Sequence, residues 1–492
     1  MSLLLKWKKL IEEIKSKWFE AYIVWWAVRD LLLDREPHDV DIATNMPVAL
    51  LETNYKTNNI GKGKDFWLLV LEFEWNSFEI AQFRWDWEYF NWRRPESINL
   101  VKTIEEDLAR RDFTVNAMAY DWKNIIDLFW WQEDLKNRII RFVWDPQERV
   151  KEDHLRILRA FRFWAKLSEM PNELNWFKNI NAKIDTKSMD AIVNNSHLLK
   201  DISWERITEE IIKIASLWWE KFANFLQVTE QFWVLEEILR PIHKSYYFQH
   251  NFDEHPEWQE PTGMNRVFSH IVESIRCYDW YDPIAILCIL FHDIGKTFTY
   301  SFEYDDKKKH EPDRHMYRWH EVIWEKFFRS YANFPLRLCW DLVDTVSYCI
   351  RNHTKRRDIP NMDKKSIYDI VGNKDYNYLE DVVTCNIKST LCENNLDVKF
   401  YLLENWSINN LDKLNEIKEI VNNIKKELWT REEFSKYAKT IFTWHDIVSE
   451  FWQQWKWMKK LIHLGVEWII NHWINNKKDL LQYIKNEKSA RN

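Results

Sequence analysis

Glycine is nearly missing from this chain. Six glycines occur in 492 residues, where an average share of about 7% would place roughly 34. A chain so short of glycine has few residues suited to tight turns, left-handed helix ends or backbone laid against a ligand. Tryptophan is in excess by a comparable amount, with 32 residues. The two counts together approach an ordinary glycine allotment plus a normal few tryptophans. The aromatic content of 16% is therefore not read as a set of stacking platforms.

Other absences narrow the class of protein. The six cysteines (Cys277, Cys288, Cys339, Cys349, Cys385, Cys392) all fall in the C-terminal half without a C-x-x-C pair. That argues against a disulfide scaffold and suits reduced thiols in the cytoplasm. An excess of positive charge is also lacking, with Lys+Arg 70 against Asp+Glu 77 and a net charge of -7. Any RNA contact must then come from a local basic face. No signal peptide opens the chain. The longest apolar run, Ile284 to Phe291, is too short to span a bilayer, so no membrane association is expected. The length predicts several domains, and 46% apolar residues can build real cores.

Against that background, Ala21 to Thr44, AYIVWWAVRDLLLDREPHDVDIAT, organises the rest. Tyr22-Ile23-Val24 reads as a strand and Ala27 to Leu33 as a helix. A second strand-like run, Asp39 to Ala43, follows Pro37. Residues two apart on a strand share a face, so Asp39 and Asp41 present both carboxylates to one side while Val40 and Ile42 turn to the core. Paired acidic oxygens suit a hard cation such as Mg²⁺. D-x-D also occurs in solvated turns, and alone it decides nothing.

The pattern of strand, paired small positions, V-R-D-x-L-L and then D-x-D-x-A-T resembles the head of the tRNA nucleotidyltransferase and poly(A) polymerase family. The family has two glycines where this chain has Trp25 and Trp26. Tryptophan also stands at family glycine places at Trp92, Trp130, Trp131, Trp144 and Trp319. This suggests a gene whose UGA codons mean glycine, rendered here as tryptophan. By the resemblance, Asp39, Asp41 and Glu79, the last within the strand-like FEIAQFR, are the catalytic and Mg²⁺-holding carboxylates. Trp26, Arg29, Arg110, Arg111 and Asp112 fall at nucleotide-binding positions. Arginines offer planar forks to a triphosphate, and Asp112 can accept from a ribose hydroxyl. Phe66 to Phe73 and Phe78 to Phe83 are expected to be neighbouring strands. Asp86 to Pro95 resembles the flexible loop involved in switching between CTP and ATP, with Asn91 where an aspartate is usual. Asp127-Leu128-Phe129 closes the head.

From Val143 onward the chain reads as helical. Asp153, Arg156, Arg159 and Arg162 recur every three residues, which predicts one slowly rotating helix face. Like charges so placed repel, and an anion beside them would explain the row. The E-D-x-x-R element resembles the family's protein template, in which the aspartate and first arginine read the edge of the incoming base. Ser203-Trp204-Glu205-Arg206 resembles the motif that steadies that helix.

A second constellation comprises His270, His292-Asp293-Ile294-Gly295-Lys296, His320-Glu321 and Asn352-His353. It resembles the HD phosphohydrolase domain, implying a second divalent metal (Ni, Mn or another) on His270, His292, Asp293, His320 and His353. Mixed imidazole and carboxylate ligands suit transition metals better than Mg²⁺. Asn386 stands near the place of a late acidic ligand.

The expectation is an α+β protein: a polymerase-beta-type nucleotidyltransferase head over 1–145, then an all-helical neck (146–225), HD body (226–365) and tRNA-binding tail (366–492). The implied activity is CCA addition to tRNA from CTP and ATP. The alternatives are a poly(A) polymerase or a partial-specificity A-adding or CC-adding enzyme, and an HD metal phosphohydrolase with an RNA-binding head.

Overall fold

The computed structural model describes residues 3–24, 26–32, 37, 40–58, 68–90, 94–128, 131–168, 182–248, 266–278, 280, 282–303, 314–391 and, apart from 418, 416–424. Packing density divides the chain into two compact units, residues 1–351 with 381–394, and residues 352–380 with 395–492.

The first unit opens with α1 (Leu3–Ser16), whose Trp7, Leu10, Ile11 and Ile14 form one buried stripe at helical spacing. Lysines occupy its other side. The head sheet follows. Its strands are β1 (Ala21–Val24), β2 (Asp41–Thr44), β3 (Lys56–Asn58), β4 (Leu68–Phe73), β5 (Asn76–Gln82), β8 (Ala119–Tyr120) and β9 (Ile125–Ile126), in the spatial order β3-β4-β5-β2-β1-β8-β9. Among the described strands of this sheet, β2 and β5 alone pair in parallel. Period-two burial is plain on β5, where Phe78, Ile80 and Gln82 are buried between half-exposed neighbours. Helix α2 (Trp26–Leu32) packs beside β1 through Ala27 and Val28, and α3 (Val48–Asn54) follows β2.

The segment expected to be a flexible loop differs. Strands β6 (Arg84–Phe90) and β7 (Arg94–Leu100) form an antiparallel hairpin, with Arg84 opposite Leu100 and Phe90 opposite Arg94. Backbone pairing on both sides leaves only the tip, residues 91–93 with Asn91, outside the described residues.

Helix α4 (Ile104–Ala109) starts with a capping box, Thr103 with Glu106, which T-x-x-E encodes directly. After α5 (Trp131–Lys136) the chain is mainly helical: α6 (Pro146–Glu152), α7 (Arg156–Leu167), α8 (Thr186–Asn195), α9 (Trp204–Ala215) and α10 (Trp219–Gln231). Then come α11 (Val234–Ile238), α12 (Arg240–Ser245), α13 (Val267–Arg276), α14 (Pro283–Phe291), α15 (Lys296–Thr299), α16 (His320–Asn333) and α17 (Trp340–Asn352). The part expected to be all-helical also carries a parallel ladder, Ile139–Ile140 with Lys183–Ile184, and a hairpin, Ser301–Glu303 with Arg314–Met316.

The longest apolar run becomes α14, started by Asp282 accepting from the Ile284 amide at 2.8 Å and by Pro283 in the first turn. Ala285 to Phe291 are all buried, so this helix is core on every side. The second unit contains α18 (Lys364–Val371), capped by Asp363. Helix α19 (Tyr376–Leu391) runs from the second unit into the 381–394 part of the first. No helix among the described residues is long and apolar enough to cross a membrane. The tail reading, from Leu428 to the end, lies outside the described residues.

Candidate functional site

The parallel register of β2 against β5 sets Asp41 directly beside Glu79. Neighbours across a ladder present their side chains to the same face, so two half-buried carboxylates stand together on the head sheet. Asp39 lies outside the described residues, as does Trp25. Strand β2 begins at Asp41, after a buried Val40. Arg111 feels the Asp41 charge, which helps keep its guanidinium protonated although burial lowers it to about 10. Side-by-side carboxylates repel, and a hard divalent cation is what such oxygen donors accommodate. The pair thus fits Mg²⁺ by its chemistry.

Arg110 and Arg111 both turn onto Asp107, at 2.7 and 2.8 Å. Burial alone would raise the Asp107 carboxyl, but Arg110 and Arg111 outweigh it and hold it at about 2. Asp112 accepts from its neighbour Phe113's amide at 2.9 Å and from the Asn116 side chain at 3.3 Å. Despite its burial, Arg159 and Arg156 keep its carboxyl below the ordinary range. Arg29 is buried and paired with Asp30. Trp26 is the first residue of α2.

The arginine row of α7 is not an unopposed cationic face. Arg156 pairs with Glu152 at 2.5 Å, Arg159 with Asp112 at 2.7 Å and Arg162 with Glu210 of α9 at 2.6 Å. An external anion is therefore not needed to explain the row. Asp153 does not share the helix face expected for it: it caps the end of α6, with φ -145 and ψ 103, one turn before α7 begins. Its carboxylate takes both oxygens' contacts from Arg206, at 3.0 and 3.2 Å. Arg206 of the S-W-E-R motif thus steadies Asp153 itself. Arg149, which spacing alone did not single out, donates to the carbonyls of Arg110 and Arg111, the latter at 2.6 Å, and pairs with Glu152. The only sequence signal was its place three residues before Glu152.

The histidine centre is built around Asp293 at the end of α14. His270 of α13 and His292 approach Asp293 Oδ2 through Nε2 at 3.4 and 3.3 Å, and His320, first residue of α16, approaches Oδ1 at 3.3 Å. All are buried. Gly295 permits this: a Cβ there would fall 2.2 Å from the His320 carbonyl oxygen. His292 Nδ1 faces the Ile289 carbonyl at 2.7 Å, and His320 Nδ1 faces that of Tyr317 at 3.0 Å. A carbonyl only accepts, so those Nδ1 atoms carry hydrogens, and in a neutral ring Nε2 turns a lone pair toward the carboxylate. This is the arrangement of metal-binding imidazoles, the second nitrogen anchored on backbone. Burial pushes the His270 ring down to about 4, against the pull of Asp293, so it is neutral. Its Nδ1 lies 3.4 Å from Ser389 Oγ, a residue on α19 that sequence reading passed over. Lys296 Nζ sits 2.7 Å from Asp293 Oδ2. The donor set fits a transition metal. His353, buried just after α17, belongs to the second unit.

Residues 21–141 match the family model described as the poly A polymerase head domain. Residues 181–217 match a second, described as "Probable RNA and SrmB- binding site of polymerase A". Among curated proteins, the CCA-adding enzyme of Lactobacillus helveticus is 42% identical over 207 residues, 42% of this chain and 48% of that protein. The CCA-adding enzyme of Bacillus licheniformis is 37% identical over 213 residues, 43% of this chain and 50% of that protein. The aligned part of the chain spans about half the length of the curated relatives it matches. The crystal structure of the Bacillus stearothermophilus CCA-adding enzyme in complex with CTP aligns over 100% of this chain and 99% of that one, with a TM-score of 0.61 and 21% identity. A CCA-adding enzyme in apo form II aligns over 98% of this chain and 96% of that one, with a TM-score of 0.51 and 18% identity. At those identities the structures establish the fold alone: a head with a mixed sheet followed by a mostly helical body.

Asp107 allows a pH test. Its carboxyl is depressed in the fold, so the stability it contributes, roughly 2 kcal/mol by the size of the shift, is present above its ordinary value of 3.8 and lost as pH falls toward about 2. Asp107→Asn should therefore unfold at lower denaturant than the parent at pH 7, with the gap closing between pH 4 and pH 2. A gap constant across that window would contradict the pairing.

Proposed function

We propose that the chain adds CCA to the 3′ ends of tRNA from CTP and ATP without a nucleic-acid template. The observation that carries this reading is the lateral pairing of Asp41 with Glu79 on a head matched by the poly A polymerase head model. The relatives named CCA-adding enzyme make tRNA, CTP and ATP the partners to test first. The functional division follows: head over 1–145, neck over 146–225, HD region over 226–365 and an RNA-holding tail over 366–492.

In this mechanism Asp41 and Glu79, with Asp39 by the family resemblance, hold Mg²⁺. When bound, Mg²⁺ supplies charge neutralisation for the triphosphate and lowers the cost of ionising the attacking 3′-hydroxyl. Arg110 and Arg111 bind triphosphate oxygens by exchanging part of their hold on Asp107, and Arg29 orients the start of the site from α2. Asp112 accepts from the ribose hydroxyl. Asp153, steadied by Arg206, accepts from the amino edge of cytosine or adenine, while Arg156 donates to the ring nitrogen. Guanine and uracil present the opposite pattern at both contacts, a carbonyl toward Asp153 and a ring N–H toward Arg156. Catalysis is then mostly positioning and charge stabilisation. At residues 25 and 26 the reading requires glycine, because two indoles would fill the space a triphosphate needs beside the start of α2.

With Mg²⁺, CTP, ATP and a tRNA lacking its last three nucleotides, the protein should restore all three, and with ATP alone it should add none of the cytidines. Asp41→Asn should bind the same tRNA yet lose nucleotide addition by orders of magnitude, since an amide is a poor anchor for the metal. Near-normal turnover of that variant would remove the site; long adenosine tails would favour a poly(A) polymerase.

A second reading is supported by the histidine centre: His270, His292, Asp293 and His320 hold a transition metal for phosphoester hydrolysis. The purified protein should take up Mn²⁺ or Ni²⁺ and open a 2′,3′-cyclic phosphate. His292→Ala should lose both properties and keep CCA addition. Failure to retain any metal would sink this second reading without touching the first.

A further inference from the structure

Among the described residues, nine that are not glycine hold positive φ, and six of them are tryptophan: Trp18 (67°), Trp75 (67°), Trp122 (80°), Trp144 (65°), Trp233 (61°) and Trp319 (63°). With 32 tryptophans in 492 residues, chance would put fewer than one among nine. Left-handed backbone crowds Cβ against the following carbonyl, and glycine alone adopts it at no cost. The glycines that are described behave oppositely: Gly295 has φ -54 and Gly372 has φ -80. In this fold the places that demand glycine hold tryptophan.

Each place is a recognised glycine position. Trp18 follows the last turn of α1, its amide bonded to the Lys15 carbonyl at 3.0 Å, and Trp233 follows α10 in the same way, bonded to Glu230 at 3.1 Å. Those are left-handed helix ends. Trp75 is the second central residue of the two-residue turn joining β4 to β5, after Glu74 at φ 45, where a hairpin turn favours Asn-Gly or Asp-Gly. Trp122 sits in the turn closed by Asp121 and Asn124 between β8 and β9. Trp144 and Trp319 precede α6 and α16.

The indoles are also out of place. Trp18 and Trp75 are 96% and 103% exposed, and Trp144, Trp233 and Trp319 are more than half exposed. Trp144 does donate to the Ala109 carbonyl, and Trp122 and Trp233 lie beside Tyr120 and His243. None of these contacts explains a left-handed backbone. We propose that the protein made in its own cells carries glycine at positions 18, 75, 122, 144, 233 and 319, through UGA codons read as glycine. The inference rests on backbone geometry and composition and does not depend on the function proposed above.

The direct test is tandem mass spectrometry of peptides from the protein isolated from its native cells. Glycine is expected at all six positions, and tryptophan at any of them overturns the assignment there. A second test uses two recombinant chains, one with Trp→Gly at the six positions and one with Trp→Ala. Both remove exposed indoles, but only glycine relieves the left-handed strain. The glycine chain should unfold at a clearly higher temperature than the alanine chain. Equal midpoints would overturn the backbone argument.

Discussion

A set of largely buried arginine–carboxylate pairs ties the turn at 107–112 to α6, α7 and α9. Asp107 takes Arg110 and Arg111, Arg149 holds the carbonyls of that same turn, and Asp112 reaches across to Arg159. Glu152 pairs with Arg156, Glu210 with Arg162, and Asp153 with Arg206. Buried charges are costly unless paired and hydrogen-bonded, and deleting one partner is worse than never having had the pair. The pairs therefore fix where α6, α7 and α9 stand relative to the turn at 107–112. On the proposed function, an incoming triphosphate or base would displace an existing partner instead of filling an empty cationic slot. Selectivity can be set by which partners give way.

Much of the head could be read from residue order. The strands around Asp41 and Glu79 follow from the period-two alternation of apolar residues. The histidine centre was legible as types and spacing, because H, HD and H on successive helices have few other reasons to converge. Partner identity was not legible. A three-residue spacing says that arginines share a side; it does not say that Glu152, Asp112 and Glu210 meet them from three other places in the chain. Nor did it reveal that the helix breaks at Asp153, which takes an extended backbone. The 84–100 hairpin was hidden for a related reason, since pairing register is a property of two segments and the tip between them looked like a loop.

Backbone handedness is invisible in composition, yet it gives the glycine deficit its meaning. A sequence count could say only that glycine was short and tryptophan long. Six left-handed tryptophans at helix ends and turns show where glycine would relieve the backbone. Gly295 is the complementary case, a glycine demanded by contact instead of by φ, since any side chain there would drive α16 and its His320 away from Asp293.

On the proposed function, Asp153 reads the edge of the base and Arg206 holds it in place. A double-mutant cycle with Asp153→Ala and Arg206→Ala, read as the ratio of CTP to UTP incorporation on tRNA lacking its end, tests this most directly. The account predicts that either single change erodes the preference for CTP and that the double change erodes it little further. The coupling should be on the order of 0.5–3 kcal/mol. Additive effects, or a CTP preference untouched by Asp153→Ala, would contradict it.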